Sequence, residues 1–280
     1  MPPDLKAIRH LHPGMAADCV ARVDALLDAV ETGHGVRIAL AIESGSRAWG
    51  FPSPDSDYDG RFIYVRPLDD YLGLWPRRDV IEFAPDGDID VNGWDLAKAL
   101  ALLVKGNAVV IEWLMSPIAY RGDAAFRAGL LALARQVAPR AAISRHYLKL
   151  GERQAAWFQD RDSPAPLKKI FYVLRSAATL RWLRLHPEAS VAPMNYPALM
   201  AECAPPAAVA RASDDLLHQK ARSREMGTGP VPPALAAFID GELEEASRIF
   251  GTGAIVPDET ARRAAEDFFR AVVRRFDPGR

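Results

Sequence analysis

An α+β fold is what the order of patterns along this chain predicts. Short runs of branched apolar residues fall between positions 36 and 92. Beyond about position 121 only helical periodicity remains. Of the 280 residues, 49% are hydrophobic and 25% charged, an ordinary globular balance that allows both parts a core. The predicted division is 1–120 for the strand-bearing unit and 121–280 for the helical one. The change of texture falls at PIAYRGD, residues 117–123.

The elements follow in order. Residues 17–31 (ADCVARVDALLDAVE) set Val20, Val23, Leu26, Leu27 and Val30 on one stripe, which is helix spacing, and TGHG ends it. VRIALAIES, 36–44, is a buried strand. GSRAWG follows as a turn that winds toward a short helix. DYDGRFIYV, 57–65, alternates as a second strand. RDVIEF (78–83) and DIDVN (88–92) are two more, joined through a PDG turn. WDLAKALALLVKG is a helix stopped by Gly106-Asn107, and VVIEWLMSP is read as helix. Five amphipathic helices are then predicted over 126–137, 143–160, 167–186, 235–250 and 259–276. Residues 223–234 (SREMGTGPVPPA) form a loop dense in Gly and Pro.

Bulk properties exclude several classes. Lys and Arg total 35 against 36 for Asp and Glu, so no global charge draws the chain to nucleic acid. An anionic substrate must meet a local basic patch. No apolar run reaches the roughly 18 residues of a membrane span. MPPDLKAIRH has no apolar signal core, and Cys19 and Cys203 lack metal-ligand spacing. The expectation is a cytoplasmic protein with two reduced thiols and no membrane contact.

The chemistry concentrates in GSRAWGFPSPDSDYDGRF, 45–62. Strand residues at i and i+2 share a face, so Asp57 and Asp59 are expected to project together. Carboxylates so placed repel unless a cation lies between them. Mg²⁺ takes such carboxylates together with substrate phosphates. The turn at Gly45-Ser46, after a buried strand, offers backbone N–H groups and a hydroxyl to phosphate oxygens. A third acid would complete a two-metal site. Asp90, between Ile89 and Val91, ranks first; Asp88 shares its face by the same spacing and ranks second. Asp95 reads as a helix cap. Each motif alone is more often a solvated turn or a cap; their order along the chain is what carries meaning.

Gly45-Ser46, Ser56-Asp57-Tyr58-Asp59 and Asp90 resemble the signature of the DNA polymerase beta-like nucleotidyltransferase superfamily. With DVNGWDLAKAL and GNAVVIEWLMSP behind it, GSRAWGFPSPDSDYDGRFIYV resembles the branch of predicted nucleotidyltransferases associated with RNA-repair ligases. The strong part spans residues 43–115. The resemblance implies a mixed sheet with helices on one side, followed by a helical nucleotide- or acceptor-binding domain. It implies transfer of a nucleoside monophosphate from an NTP, ATP among them, with release of pyrophosphate. It further implies two Mg²⁺ ions, or Mn²⁺, on Asp57, Asp59 and Asp90, with Asp90 helping to deprotonate the acceptor. Gly45, Ser46 and Ser56 would surround the triphosphate, and Arg47 would touch it. One departure is Ala108, where the pattern carries proline.

In the helical half, Lys168, Tyr172 and Arg175 fall at i, i+4 and i+7, one face of a helix. A cation, an aromatic and a cation in line suit triphosphate and base, although such residues are also an ordinary solvated face. Lys220 is a further candidate for the same anion. With Arg222 and Arg224 it could instead meet an acidic acceptor such as an RNA or DNA end. Glu43 is placed to salt-bridge Arg47 or Arg61, Glu112 needs a partner the sequence does not name, and Trp49, Trp94 and Trp113 read as core. Two other readings stay open: nucleotide transfer to a protein or small molecule, and a non-catalytic nucleotide-binding or toxin–antitoxin-like module.

Overall fold

A computed structural model of the chain describes residues 3–158, 164–222, 226–251 and 258–277. Five strands between Arg37 and Gly122 make one sheet. Helix α1 (Ala17–His34) leads into β1 (Arg37–Glu43), the five-residue helix α2 (Gly45–Trp49), β2 (Tyr58–Val65) and the short α3 (Leu68–Tyr71). Then come β3 (Val80–Glu82), β4 (Ile89–Asp95), α4 (Leu96–Val104), α5 (Ala108–Met115) and β5 (Ala119–Gly122). The order across the sheet is β3-β4-β2-β1-β5. Only β2 and β4 pair in parallel; the other neighbours are antiparallel, so the sheet is mixed.

The period-two alternation of strand side chains decides the layers. Phe62, Tyr64, Ile38 and Val91 point to one face, where Val23, Leu27 and Val30 of α1 cover them. Ile63, Val65, Leu40 and Ile42 point to the other, against α4, α5 and α6 (Ala124–Val137). Helices therefore cover both faces of the sheet. The one-sided arrangement implied by the resemblance is corrected, because α1 itself is amphipathic and needs a partner. A register shift between Ile38 and Leu40 turns Ala39 and Leu40 to the same face.

The helical half contains α7 (Arg140–Ala155), α8 (Leu167–Leu185), α9 (Tyr196–Cys203), α10 (Ala207–Arg222), α11 (Pro233–Phe250) and α12 (Glu259–Phe276). A two-residue strand pair, β6 (Ala165–Pro166) and β7 (Thr228–Gly229), precedes α8 and α11 respectively. Helix α8 is central, packed by α7, α9 and α11, while α12 returns to α4 and α6. Its Phe171 and Leu174 belong to the same buried cluster as Leu40 and Ile63 of the sheet, so one core is shared. The predicted division at 120/121 falls inside β5, since the sheet continues to Gly122.

The predicted strand at 88–92 begins one residue later and runs on to Asp95. Asp57 lies just before β2 rather than in it. Ala108 occupies the first turn of α5, the one helical position proline also suits. Gln159 and Asp160, the end of one predicted helix, lie outside the described residues, as does the start of the 223–234 loop. Both cysteines are buried free thiols. Among the described residues no helix is long and apolar enough to cross a membrane.

Candidate active site

The site forms where the end of β1 meets the start of β2. The Ser44 N–H donates to the Asp59 carbonyl at 2.8 Å, which sets the turn against the second strand. Gly45 follows with φ +59°. A Cβ there would lie 2.0 Å from Asp59 Oδ2, so the position needs glycine for conformation and for space. Beneath the turn lies Glu43, fully buried. One carboxylate oxygen accepts the Asp59 N–H at 2.8 Å and the other accepts the Tyr120 hydroxyl. Burial pushes its carboxyl up to about 7. Glu43 thus pairs with neither Arg47 nor Arg61, because its oxygens face strand backbone and the sheet interior.

The residues between α2 and β2 are tied by serines. Ser46 donates its hydroxyl to Ser56 Oγ at 2.9 Å, and the Ser53 N–H donates to the same oxygen at 2.9 Å. Ser56 is only 4% exposed, so its hydroxyl organises the loop. Arg47 does the same from outside. It donates to the Ser56 carbonyl at 2.6 Å and the Asp57 carbonyl at 3.1 Å, and its guanidinium lies 4.0 Å over the Tyr58 ring.

The acids come together on one face of the sheet. Asp59 and Asp90 are register partners on the parallel strands β2 and β4. Arg61 sits between them. One of its nitrogens donates to Asp59 Oδ1 at 2.9 Å and to Asp90 Oδ2 at 2.7 Å; the other donates to the Asp90 carbonyl at 2.8 Å. Burial raises the Asp59 carboxyl despite Arg61, and the charges of Asp90 and Asp57 add to the rise. Asp88 is elsewhere. It precedes β4 in a turn, exposed, with Arg22 at 3.6 Å. The i, i+2 reading failed there because the strand begins only at Ile89. Asp95 caps α4 by accepting the Ala97 N–H at 2.8 Å.

Asp57 and Asp59 line a cleft of about 150 Å³ with Gly45, Ser46, Trp49, Ser56, Lys168 and Tyr172. Lys168 and Tyr172 come from the first turns of α8, so the helical half closes the cleft over the acids. Burial raises the Tyr172 phenol, with the Asp59 and Asp57 charges adding. Arg175, one turn further along α8, does not reach the cleft. It is 5% exposed, donates to Glu112 at 2.7 Å and lies 4.2 Å from the centre of the Trp49 ring. Glu112 also accepts the Tyr147 hydroxyl at 2.8 Å. Lys220 is 1% exposed and its ammonium donates to the Phe51 carbonyl, so it too is a buried tie rather than an anion site. Arg222 is exposed, and Arg224 lies outside the described residues. Trp113 is core, its ring tilted 38° to that of Trp94 with centroids 4.3 Å apart, while Trp49 and Trp94 are half-buried.

Hard carboxylate oxygens are the donors Mg²⁺ prefers. Asp59 and Asp90 already converge on one cationic nitrogen, and Gly45 leaves room beside Asp59 Oδ2. The donor set therefore fits a divalent ion in kind. Among the described residues no three acidic, His or Cys side chains are close enough to hold one as they stand. Arg61 fills the place between the two acids. Sequence reading passed over Arg61 as a site residue, although its i+2 spacing from Asp59 was visible.

Residues 20–271 match the RNA repair pathway DNA polymerase beta family. Over 219 residues the chain is 36% identical to the "Uncharacterized protein YcgL" of Bacillus subtilis (strain 168). That alignment covers 78% of this chain and 83% of the relative.

Proposed function

Because this chain belongs to the RNA repair pathway DNA polymerase beta family, we infer that it transfers a nucleoside monophosphate from an NTP to an acceptor hydroxyl, an RNA or DNA end being the acceptor class. The carrying observation is the register pairing of Asp59 and Asp90 beside the Gly45-Ser46 turn. Asp57, Asp59 and Asp90 would hold Mg²⁺, with Mn²⁺ as a substitute. When bound, the ion neutralises triphosphate charge and makes the acceptor hydroxyl more acidic.

The chain's own groups supply the rest. The backbone at Gly45-Ser46 faces the cleft and suits phosphate oxygens. Lys168 brings positive charge from α8, and Tyr172 lines the cleft beside it. In the step itself the acceptor oxygen bonds to the α-phosphorus. The bond from that phosphorus to its bridging oxygen breaks, and pyrophosphate leaves with the electron pair. The acceptor proton passes to the Asp90 carboxylate. Arg47, Arg175 and Lys220 act indirectly, by holding the loop and the shared core.

The test uses each NTP labelled at the α-phosphate, with Mg²⁺ and a mixed pool of RNA and DNA oligonucleotides. Label entering an oligonucleotide with the wild type and not with Asp57→Asn/Asp59→Asn supports the reading and names the nucleotide. Label on the protein or on a small molecule keeps the transfer chemistry and replaces the acceptor. No label transferred by either protein overturns it.

A further inference from the structure

Asp59 and Asp90 are held on adjacent strands, about 4.8 Å apart at the backbone, and two carboxylates at that spacing need a cation. Arg61 is that cation. A single guanidinium nitrogen bonds both carboxylates, at 2.9 and 2.7 Å. The other terminal nitrogen is fixed to the backbone, on the Gly60 carbonyl at 3.0 Å and the Asp90 carbonyl at 2.8 Å. The Arg61 side chain is only 15% exposed, so this contact is part of the fold.

We propose that Arg61 is an internal counter-ion occupying the cation position of the site, and that a divalent metal must displace its guanidinium from Asp59 and Asp90 to bind. The inference rests on the nucleotidyl-transfer reading. Mg²⁺ needs carboxylate oxygens at about 2.1 Å. An ion bonded to those oxygens and a guanidinium nitrogen within 3 Å of the same oxygens cannot both be seated. Their charges also repel. The anchor on two carbonyls lets the shared nitrogen leave while the side chain stays beside the site. A triphosphate then offers the freed guanidinium a new partner, because Arg forks onto phosphate oxygens. Metal and NTP therefore load together, and the metal alone binds weakly. This arrangement keeps the two acids bridged by one positive charge between turnovers.

The test measures Mn²⁺ alone, by electron paramagnetic resonance of the free ion, on the full chain. Arg61→Met removes the competing charge and keeps much of the side-chain volume. It is expected to tighten Mn²⁺ binding about tenfold, or roughly 1.4 kcal/mol. Asp59→Asn is expected to abolish that binding in either background. Should Arg61→Met fold poorly, the wild type gives the answer through its Arg61 side-chain N–H signal by NMR, identified by its loss in Arg61→Lys. That signal is expected to move when Mg²⁺ and a non-hydrolysable ATP analogue are added. Unchanged or weaker Mn²⁺ binding in Arg61→Met, or an unmoved Arg61 signal, overturns the proposal while Asp59-dependent binding leaves the transfer reading standing. Mn²⁺ binding that ignores Asp59 overturns both.

Discussion

The guanidinium of Arg175 and the carboxylate of Glu112 meet at 2.7 Å across 63 residues of sequence, with side chains only 6% and 11% exposed. The pair joins α8 to α5, and the Trp49 ring lies against its cationic half. Breaking such a pair strands a buried charge, at about 3–5 kcal/mol. Glu112→Gln is therefore expected to lower the urea midpoint strongly. Replacing both residues with methionine is expected to recover part of the loss. An unchanged midpoint in Glu112→Gln contradicts the role assigned to Arg175.

Gly45→Ala tests the packing of the turn on Asp59. The left-handed backbone costs a non-glycine residue about 1–2 kcal/mol. The added methyl also meets Asp59 Oδ2. Nucleotide transfer is expected to fall at least about a hundredfold, roughly 2.7 kcal/mol of barrier. The folded chain is expected to survive with a modestly lower melting temperature. A fully active Gly45→Ala contradicts the placement of Asp59 at the centre of the site.

Asp88 and Asp90 are separated by one residue and by very different surroundings. Asp90→Asn is expected to reduce transfer at least about a hundredfold. Asp88→Asn weakens an exposed contact to Arg22 and a thiol contact from Cys19, both outside the cleft, and is expected to stay within about threefold of wild type. Measured side by side on the same NTP and acceptor, the reverse order moves the third carboxylate to Asp88.

Lys220 gives a pH signature. Burial lowers its ammonium from 10.5 to about 8, with the Lys168 charge adding. The unfolded chain then binds more protons between pH 8 and 10.5, so this residue's contribution to stability rises with pH across that window. It is fully present above 10.5 and is lost as pH falls through 8. The difference in melting temperature between wild type and Lys220→Met is expected to shift in favour of the wild type from pH 7.5 to 10.5. A flat difference contradicts a buried ammonium at Phe51.

What was legible in the sequence was whatever periodicity or a local motif could carry. Val20, Val23, Leu27 and Val30 marked α1, and branched runs marked β1 and β2; Gly45 packs on Asp59, whose register partner is Asp90, while Asp57, paired with Asp59 by the i, i+2 spacing, lies just before the strand. Strand β5 was missed because AYRG is four residues long, too short for a pattern. Helices α9 and α10 were missed among prolines that punctuate the chain around them. Arg175 and Lys220 kept their helical positions, but helical spacing does not say which flank faces the core. Glu112 and the Phe51 carbonyl, which bury those cations, are distant in sequence. Arg61 is the sharpest case. Its bridge depends on β2 and β4 being parallel and in register, a property of pairing rather than of either strand.

The most direct test of the central claim is the identity of the phosphate product. Wild-type protein is incubated with Mg²⁺, an acceptor pool and an NTP labelled at the γ-phosphate, and the released label is separated as pyrophosphate or orthophosphate. Cleavage between the α- and β-phosphates is predicted, so label leaves as pyrophosphate, and Asp59→Asn releases none. Release as orthophosphate, or equal pyrophosphate release by Asp59→Asn, contradicts nucleotidyl transfer at this site.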